Sequence, residues 1–216
     1  YKSSMSGNPL NSTPYFNQMC NEGIFFERCF TPSFGTARGV FATITGIPDV
    51  QLSKFSTRNE ESVNQRTIIN DFDGYEKYYF IGGRSQFNNF KGLVANINRV
   101  HVYEEGSYKA PALNVWGISD KNLFLEANEV LSKQQKPFFA IIQTADNHRP
   151  FDIPEEDKDF ARDLITSEDL QKYGFESLKE FHAFAYTDYC IKKFMEAAKR
   201  SPHFNNTIFV FTGDHG

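Results

Sequence analysis

The chain has 216 residues and a formal net charge of −4, with 40% hydrophobic and 16% aromatic residues. This length suits one domain with a buried core, and so many aromatic residues exclude an intrinsically disordered chain. The acidic balance argues against a nucleic-acid partner, and three cysteines (Cys20, Cys29 and Cys190) are too few for a disulfide framework, although one Cys20–Cys29 bridge stays possible.

The first half of the chain alternates between helix-like and strand-like segments. Helix starts are indicated by capping residues and Pro14, and helix ends by glycines. The predicted elements are a helix over 14–22 capped by Thr13, a strand over 24–30, helices over 35–45 and 60–70, a buried strand over 77–81 and a β-like run over 100–103.

The second half continues this alternation. The predicted elements are a helix capped by Asp120 and ending near Lys133, a strand over 138–144, a polar surface excursion over 149–176, a helix from a Ser177/Glu180 capping box to about Arg200, and a strand over 207–212. Continuous apolar strands between helices predict an α/β fold with a mostly parallel central sheet flanked by helices on both faces.

Polar segments follow three of the predicted strands. They are Ser33–Arg38, Asp146–His148 and Asp214–His215. In open α/β sheets, binding sites form outside the carboxyl ends of the strands, so these segments can converge. A carboxylate beside an imidazole, as at Asp214–His215, suits a divalent metal such as Zn²⁺ or Mn²⁺; a simple polar turn is the alternative.

Thr36 is the candidate nucleophile. It lies at the start of a predicted helix, behind Gly35, where free N–H groups favour a bound phosphate or sulfate. A threonine hydroxyl needs a metal or a base to become reactive. The alternative is that Thr36 only caps the helix, and the neighbouring Ser33 is a hydroxyl that is not expected to react.

His148 could bind a substrate oxyanion or donate a proton to a leaving group. Arg149, Arg38 and Arg84 are candidate anion contacts. The alternatives are a loop histidine without a role and ordinary surface charges.

Several motifs occur together and in order. They are T-P-Y-F-N-Q-M at 13–19, W-G-I-S-D-K-N-L-F at 116–124, N-H-R-P-F at 147–151, A-Y-T-D-Y-C-I at 185–191 and F-N-N-T-I-F-V-F-T-G-D-H-G at 204–216. This set resembles the alkaline phosphatase/sulfatase superfamily, and in particular its lipoteichoic acid synthase-like branch of phosphoglycerol transferases.

The resemblance implies roles for individual residues. Thr36 would be a metal ligand and would form a phospho-threonine intermediate, Asp214 and His215 would bind the same metal, and His148 would contact the transferred group. Independently of the resemblance, Arg38 and Arg149 are the residues expected to bind substrate as anion contacts. Mn²⁺ or Zn²⁺ is expected, with Mg²⁺ or Ca²⁺ as alternatives. The C/S-x-P-S-R motif of classical sulfatases is not matched, because the spacing differs in C-F-T-P-S at 29–33.

The resemblance also implies a setting. Residues 1–216 would be a catalytic domain without its first strand, where an acidic metal ligand is expected, and without its C-terminal portion. The whole protein would be an extracytoplasmic domain on a bacterial membrane anchor, acting on a phosphatidylglycerol-like headgroup and an alcohol acceptor such as a glycan.

One family feature is missing from the sequence. A substrate-binding Trp/Arg pair would fall near residues 87–89, where neither occurs. The alternative functions are a sulfatase or phosphodiesterase, a phosphoethanolamine transferase, and a non-catalytic envelope binding module.

Overall fold

The computed structural model describes residues 2–50, 54–157 and 159–215. Within these ranges the sheet has three strands, β1 (Glu76–Ile81), β2 (Val100–Tyr103) and β3 (Phe138–Gln143). Their order is β2-β1-β3, and both neighbouring pairs are parallel. The predicted parallel sheet is therefore confirmed, and the carboxyl ends of all three strands lie along one edge.

Seven α-helices accompany the sheet in the described ranges. They are α1 (Pro14–Glu22), α2 (Thr36–Thr45), α3 (Glu60–Val63), α4 (Phe90–Val94), α5 (Asp120–Leu131), α6 (Ser167–Lys172) and α7 (Leu178–Ala198). The short helices α4 and α6 lie in regions that the sequence predicted to be irregular.

The side chains of β1 alternate between two hydrophobic cores. Tyr79 and Ile81 pack with residues of α2 and α4 on one face, and Tyr78 and Phe80 pack with residues of α5 on the other. This period of two is the normal alternation of a strand buried on both faces. Helix α7 then packs against the outer side of α5, so the prediction of helices on both faces is confirmed.

The predictions of strands over 24–30 and 207–212 are wrong, because neither segment forms a strand in the structure. In the second segment, Phe209 and Phe211 pack with the core beside α7, whereas Ile208 and Val210 are exposed. The apolar composition of these segments predicted strands that are buried on both faces of a sheet. A strand, however, also needs a neighbouring strand with which to form its backbone hydrogen bonds.

The predicted helix over 60–70 is also wrong in length. It ends at Val63, where the side-chain amide of Asn96 donates to the Val63 carbonyl at 2.5 Å. The same carbonyl accepts from the Gln65 N–H at 2.8 Å, whereas in a continuing helix that N–H would bond to the Glu61 carbonyl. A separate 3₁₀ turn follows at Ile68–Asp71.

Two predicted caps are replaced by others. Thr13 makes no side-chain cap bond; instead, the buried carboxylate of Asp188 on α7 accepts from the backbone N–H groups of Tyr15 and Phe16 at 2.9 and 2.7 Å. Ser119, and not Asp120, caps α5. The Ser177 hydroxyl caps α7 as predicted.

All three cysteines are free thiols, with Cys190 buried and Cys29 exposed. Among the described residues, no helix combines the length and the apolar character needed to cross a bilayer.

Candidate functional site

The loops that leave β1 and β2 are joined at the carboxyl edge of the sheet. Arg84 pairs with Glu105 at 2.6 Å, and both the backbone N–H and the hydroxyl of Ser85 donate to Glu104. These contacts lower the pKa of both glutamates, chiefly through the side-chain hydrogen bonds from Arg84 and Ser85. The Arg84 charge is therefore shared with an acidic residue of the protein itself.

The start of α2 is shaped by two glycines. Gly35 precedes the helix with φ 77°, a conformation that favours glycine, and Thr36 is the first helical residue. Gly39 lies one turn further on, and a Cβ there would be only 2.0 Å from the backbone oxygen of Asp214. The loop that carries Asp214 therefore packs directly on the first turn of α2.

This packing assembles the cluster that we call the Thr36 centre: Thr36, Asp214 and His215. The Thr36 Oγ1 lies 3.3 Å from His215 Nε2, and that nitrogen lies 3.7 Å from Asp214 Oδ2. Two residues 179 positions apart in the sequence are thus within hydrogen-bonding distance. The neighbouring hydroxyl, that of Ser33, instead donates to the Asp49 carbonyl.

The donor atoms of the Thr36 centre fit a divalent metal. Ligands about 2.0–2.2 Å from one tetrahedral Zn²⁺ lie roughly 3.3–3.6 Å apart, close to the observed spacing. Hydroxyl oxygen, carboxylate oxygen and imidazole nitrogen are suitable ligands for Zn²⁺ or Mn²⁺. In the part of the chain that the structure describes, no group of three His, Cys, Asp or Glu residues could hold a metal, and the Thr36 centre has one carboxylate and one imidazole beside its hydroxyl.

Arg38 is not a surface charge. Its side chain is buried, with the guanidinium 4.7 Å from the Phe34 ring and 4.6 Å from the Phe55 ring. The Arg58 guanidinium lies 5.5 Å from the centre of the Phe55 ring and donates a hydrogen bond to the side chain of Asn88, which follows β1. These contacts link the first turn of α2 to the carboxyl edge of the sheet.

His148 belongs to a second cluster, the Trp116 cluster, formed by Phe87, Trp116 and His148. The Trp116 ring lies 4.2 Å from the His148 ring and 5.3 Å from the Phe87 ring. The indole Nε1–H donates to the Arg149 carbonyl at 2.6 Å, and His148 Nδ1 lies 3.1 Å from the same oxygen. His148 is exposed at this edge of the sheet.

The Arg149 side chain is paired with Glu176, and both side chains are 72% exposed. An exposed pair of this kind holds its partners only weakly, so Arg149 could exchange Glu176 for an anionic ligand. Its role in substrate binding stays a prediction, as do the roles of the other candidate residues.

A buried carboxylate pair anchors the loop before His148. The Asp120 carboxylate accepts from the backbone N–H groups of Ala145 and Asp146 at 2.8 and 3.1 Å, and Asp146 accepts from the Asp120 N–H at 2.7 Å. Burial raises the pKa of Asp120, and burial together with the Asp120 charge raises the pKa of Asp146. The pair ties the end of β3 to the start of α5.

Sequence reasoning missed Trp116 and Phe87 as neighbours of His148. Trp116 is the only tryptophan in the chain, and it lies beside Gly117 in a segment without regular structure. That combination could have marked it as a candidate, because aromatic residues on loops often line binding sites.

Comparisons with known proteins identify the family of the chain. A family model described as "Sulfatase" matches residues 2–216. The chain is 24% identical over 215 residues to lipoteichoic acid synthase 1 of Bacillus subtilis, covering 94% of this chain and 32% of that protein. It is 29% identical over 208 residues to the lipoteichoic acid synthase-like protein YvgJ of Bacillus subtilis, covering 94% and 33%.

Solved structures show the same fold. A protein of the alkaline phosphatase superfamily from Vibrio parahaemolyticus matches with a TM-score of 0.73 and 28% identity, over 89% of this chain and 46% of that one. The lipoteichoic acid synthase LtaP from Listeria monocytogenes matches with a TM-score of 0.73 and 20% identity, over 87% and 46%.

The chain spans about a third of the length of these curated relatives. The predicted superfamily and its lipoteichoic acid synthase-like branch are confirmed, and the relatives named as synthases are enzymes. This chain belongs to the sulfatase family.

Proposed function

We propose that the chain is the core of a metal-dependent phosphoglycerol transferase that acts on a phospholipid headgroup through a phospho-threonine intermediate. The observation that supports this most directly is the 3.3 Å approach of Thr36 Oγ1 to His215 Nε2. A hydroxyl at the start of a ten-residue helix, beside an imidazole and a carboxylate, suits attack on a phosphate ester.

Thr36, Asp214 and His215 would hold the metal. When bound, a divalent cation lowers the pKa of a coordinated hydroxyl and stabilises charge on the phosphoryl oxygens. The chain adds its own contribution through α2. The N–H groups of Thr36 and Ala37 precede the first intrahelical bond, from Arg38 to Gly35, and such groups attract an anion.

The first half-reaction forms the bond between Thr36 Oγ1 and phosphorus and breaks the bond from phosphorus to the diacylglycerol oxygen. The hydroxyl proton leaves to solvent, and the diacylglycerol oxygen takes a proton from His148 or from solvent. In the second half-reaction, an alcohol oxygen bonds to phosphorus and loses its proton to solvent, the bond from phosphorus to Thr36 Oγ1 breaks, and that oxygen takes a proton from solvent to restore the hydroxyl. The acceptor would be a glycan or glycerol hydroxyl, and water would give a hydrolase.

The proposal includes the cellular setting. We infer an extracytoplasmic domain of a membrane-anchored bacterial protein, because a phospholipid headgroup must be reached from the membrane surface. Relatives named as lipoteichoic acid synthases support this inference.

Turnover of a fluorescent phosphatidylglycerol by the full-length protein tests the proposal. With Mn²⁺ or Zn²⁺, we expect release of diacylglycerol and a phosphoglycerol adduct of 154 Da on the peptide that contains Thr36, as mass spectrometry of a quenched reaction would show (the mass follows from glycerol phosphate, about 172 Da, less water, about 18 Da). The Thr36→Ser variant is the matched control, because it keeps the hydroxyl. Turnover unaffected by Thr36→Ala would contradict the proposal, and preferential turnover of an aryl sulfate would favour a sulfatase.

A further inference from the structure

The Trp116 cluster is held in place from the strand side by close backbone packing. A Cβ at Gly83 would lie 2.5 Å from the Trp116 carbonyl oxygen, and one at Gly117, where φ is 107°, would lie 1.9 Å from the Gly82 oxygen. Glycines at these positions let residues 116–118 pack directly on the end of β1. The tryptophan backbone therefore has little room to move relative to the sheet.

The same segment is also held by hydrogen bonds from side chains. The Trp116 N–H donates to Asn114 Oδ1 at 2.9 Å, and the Asn114 amide donates to Asp152 at 3.3 Å. Asp152 is also paired with Lys179 of α7 at 3.0 Å. Trp116 is thus attached both to the sheet and to the longest helix.

Trp116 makes two contacts with the loop that contains His148. The indole ring packs 4.2 Å from the imidazole ring, and the indole N–H donates to the carbonyl of the next residue, Arg149. An exposed imidazole would otherwise sample several rotamers. One ring contact and one hydrogen bond restrict both the His148 side chain and the backbone beside it.

We infer that Trp116 is a positioning residue that fixes the His148 imidazole at the carboxyl edge of the sheet. The inference rests on the proposed function in so far as His148 acts on the transferred group. Its geometric part is independent of that role. The ring of Phe87, which is 50% exposed, contacts the indole edge-on and restricts its movement on the side of β1.

The test uses three variants of the full-length protein and two measurements. Trp116→Leu removes the ring and the donor, whereas Trp116→Phe keeps a ring and removes the donor. Phe72→Leu is the matched control, because that ring is also partly exposed but packs against Phe139 at the start of β3. The first measurement is the rate at which diethyl pyrocarbonate modifies each histidine, read by peptide mass spectrometry.

We expect His148 to be modified several-fold faster in Trp116→Leu and to a smaller extent in Trp116→Phe. His101, an exposed histidine on β2, is the internal reference and should keep its rate in all variants. An unchanged His148 rate in Trp116→Leu, with His101 unchanged, would overturn the inference. If the His101 rate rises as well, Trp116→Leu has lost its fold. The inference is then decided by the His148 modification rate in Trp116→Phe, with His101 again as the reference.

The second measurement is steady-state turnover of the fluorescent phosphatidylglycerol. Misplacement of a reacting group typically costs about 10- to 100-fold, so Trp116→Leu should lower kcat by that factor with a smaller change in KM. A raised KM with unchanged kcat would contradict positioning and indicate substrate binding instead. If the wild-type protein has no phosphodiester turnover, the proposed function fails, while the modification rates still decide the inference.

Discussion

The Thr36 centre and the Trp116 cluster each contain one of the two histidines expected to act in the site, but their surroundings differ. His215 lies beside a hydroxyl and a carboxylate, at 3.3 and 3.7 Å. His148 lies beside an aromatic ring and a backbone carbonyl. Oxygen donors around an imidazole suit a shared metal, whereas an aromatic neighbour leaves the imidazole free to bind or protonate a substrate. The groups around each histidine, and not the residue type itself, therefore suggest the role of that histidine.

The largest effect should come from the Thr36 centre. Thr36→Ala removes the proposed nucleophile and should lower turnover of phosphatidylglycerol by about 10³-fold or more. His215→Ala should cause a similar loss and also lower the metal content, measured by inductively coupled plasma mass spectrometry. Normal metal content in His215→Ala would contradict the proposed difference between the two histidines, because His215 would then not be a metal ligand.

His148→Gln should have the next largest effect. Loss of a proton donor typically costs about 10²- to 10⁴-fold in kcat, while the metal content should equal that of the wild type. His101→Gln is the control for a histidine on the surface of β2. A loss of metal in His148→Gln would show that the two clusters share one ion and are not distinct.

Gly39→Ala tests the contact that assembles the Thr36 centre. Alanine favours a helix interior by about 1 kcal/mol over glycine, so the substitution alone should stabilise α2. Here the new Cβ would lie 2.0 Å from the Asp214 oxygen, so we expect the metal affinity to fall by about 10- to 100-fold. Gly213→Ala is the control in the same loop, because its Cβ would meet no heavy atom nearer than 3.6 Å. Equal metal affinity in both variants would contradict the expectation.

The smallest effect concerns the Asp120–Asp146 pair, which anchors only the His148 side of the site. Because burial raises the pKa of both carboxyls in the folded state, folding takes up protons and the stability contributed by the pair falls as pH rises from about 4 towards 8. Asp146→Asn keeps an acceptor for the Asp120 N–H and removes one charge. It should raise the free energy of unfolding at pH 8 by about 1–3 kcal/mol and flatten its pH dependence.

Urea unfolding at pH 5 and pH 8 measures this effect. Asp159→Asn is the control, because that carboxylate is paired with Lys193 and its pKa is lowered, chiefly by the hydrogen bond from that lysine. A steeper pH dependence in Asp146→Asn would contradict the assigned direction.

The sequence by itself determined the elements whose signals are local. Helix α2 behind Gly35, helix α7 behind Ser177, and strands β1 and β3 all agree with their periodicity and caps. The ordered motifs also indicated the family. Such features depend on neighbours within a few residues, and a single sequence contains that information.

Only the tertiary structure decided the contacts that join distant segments. Asp188 caps α1 from α7, Asn96 donates to the Val63 carbonyl at the end of α3, and the Asp214 backbone packs on Gly39. The apolar runs at 24–30 and 207–212 looked like strands because composition does not reveal whether a partner completes the ladder. Long-range packing determines these outcomes, since each requires an atom that is far away in the chain.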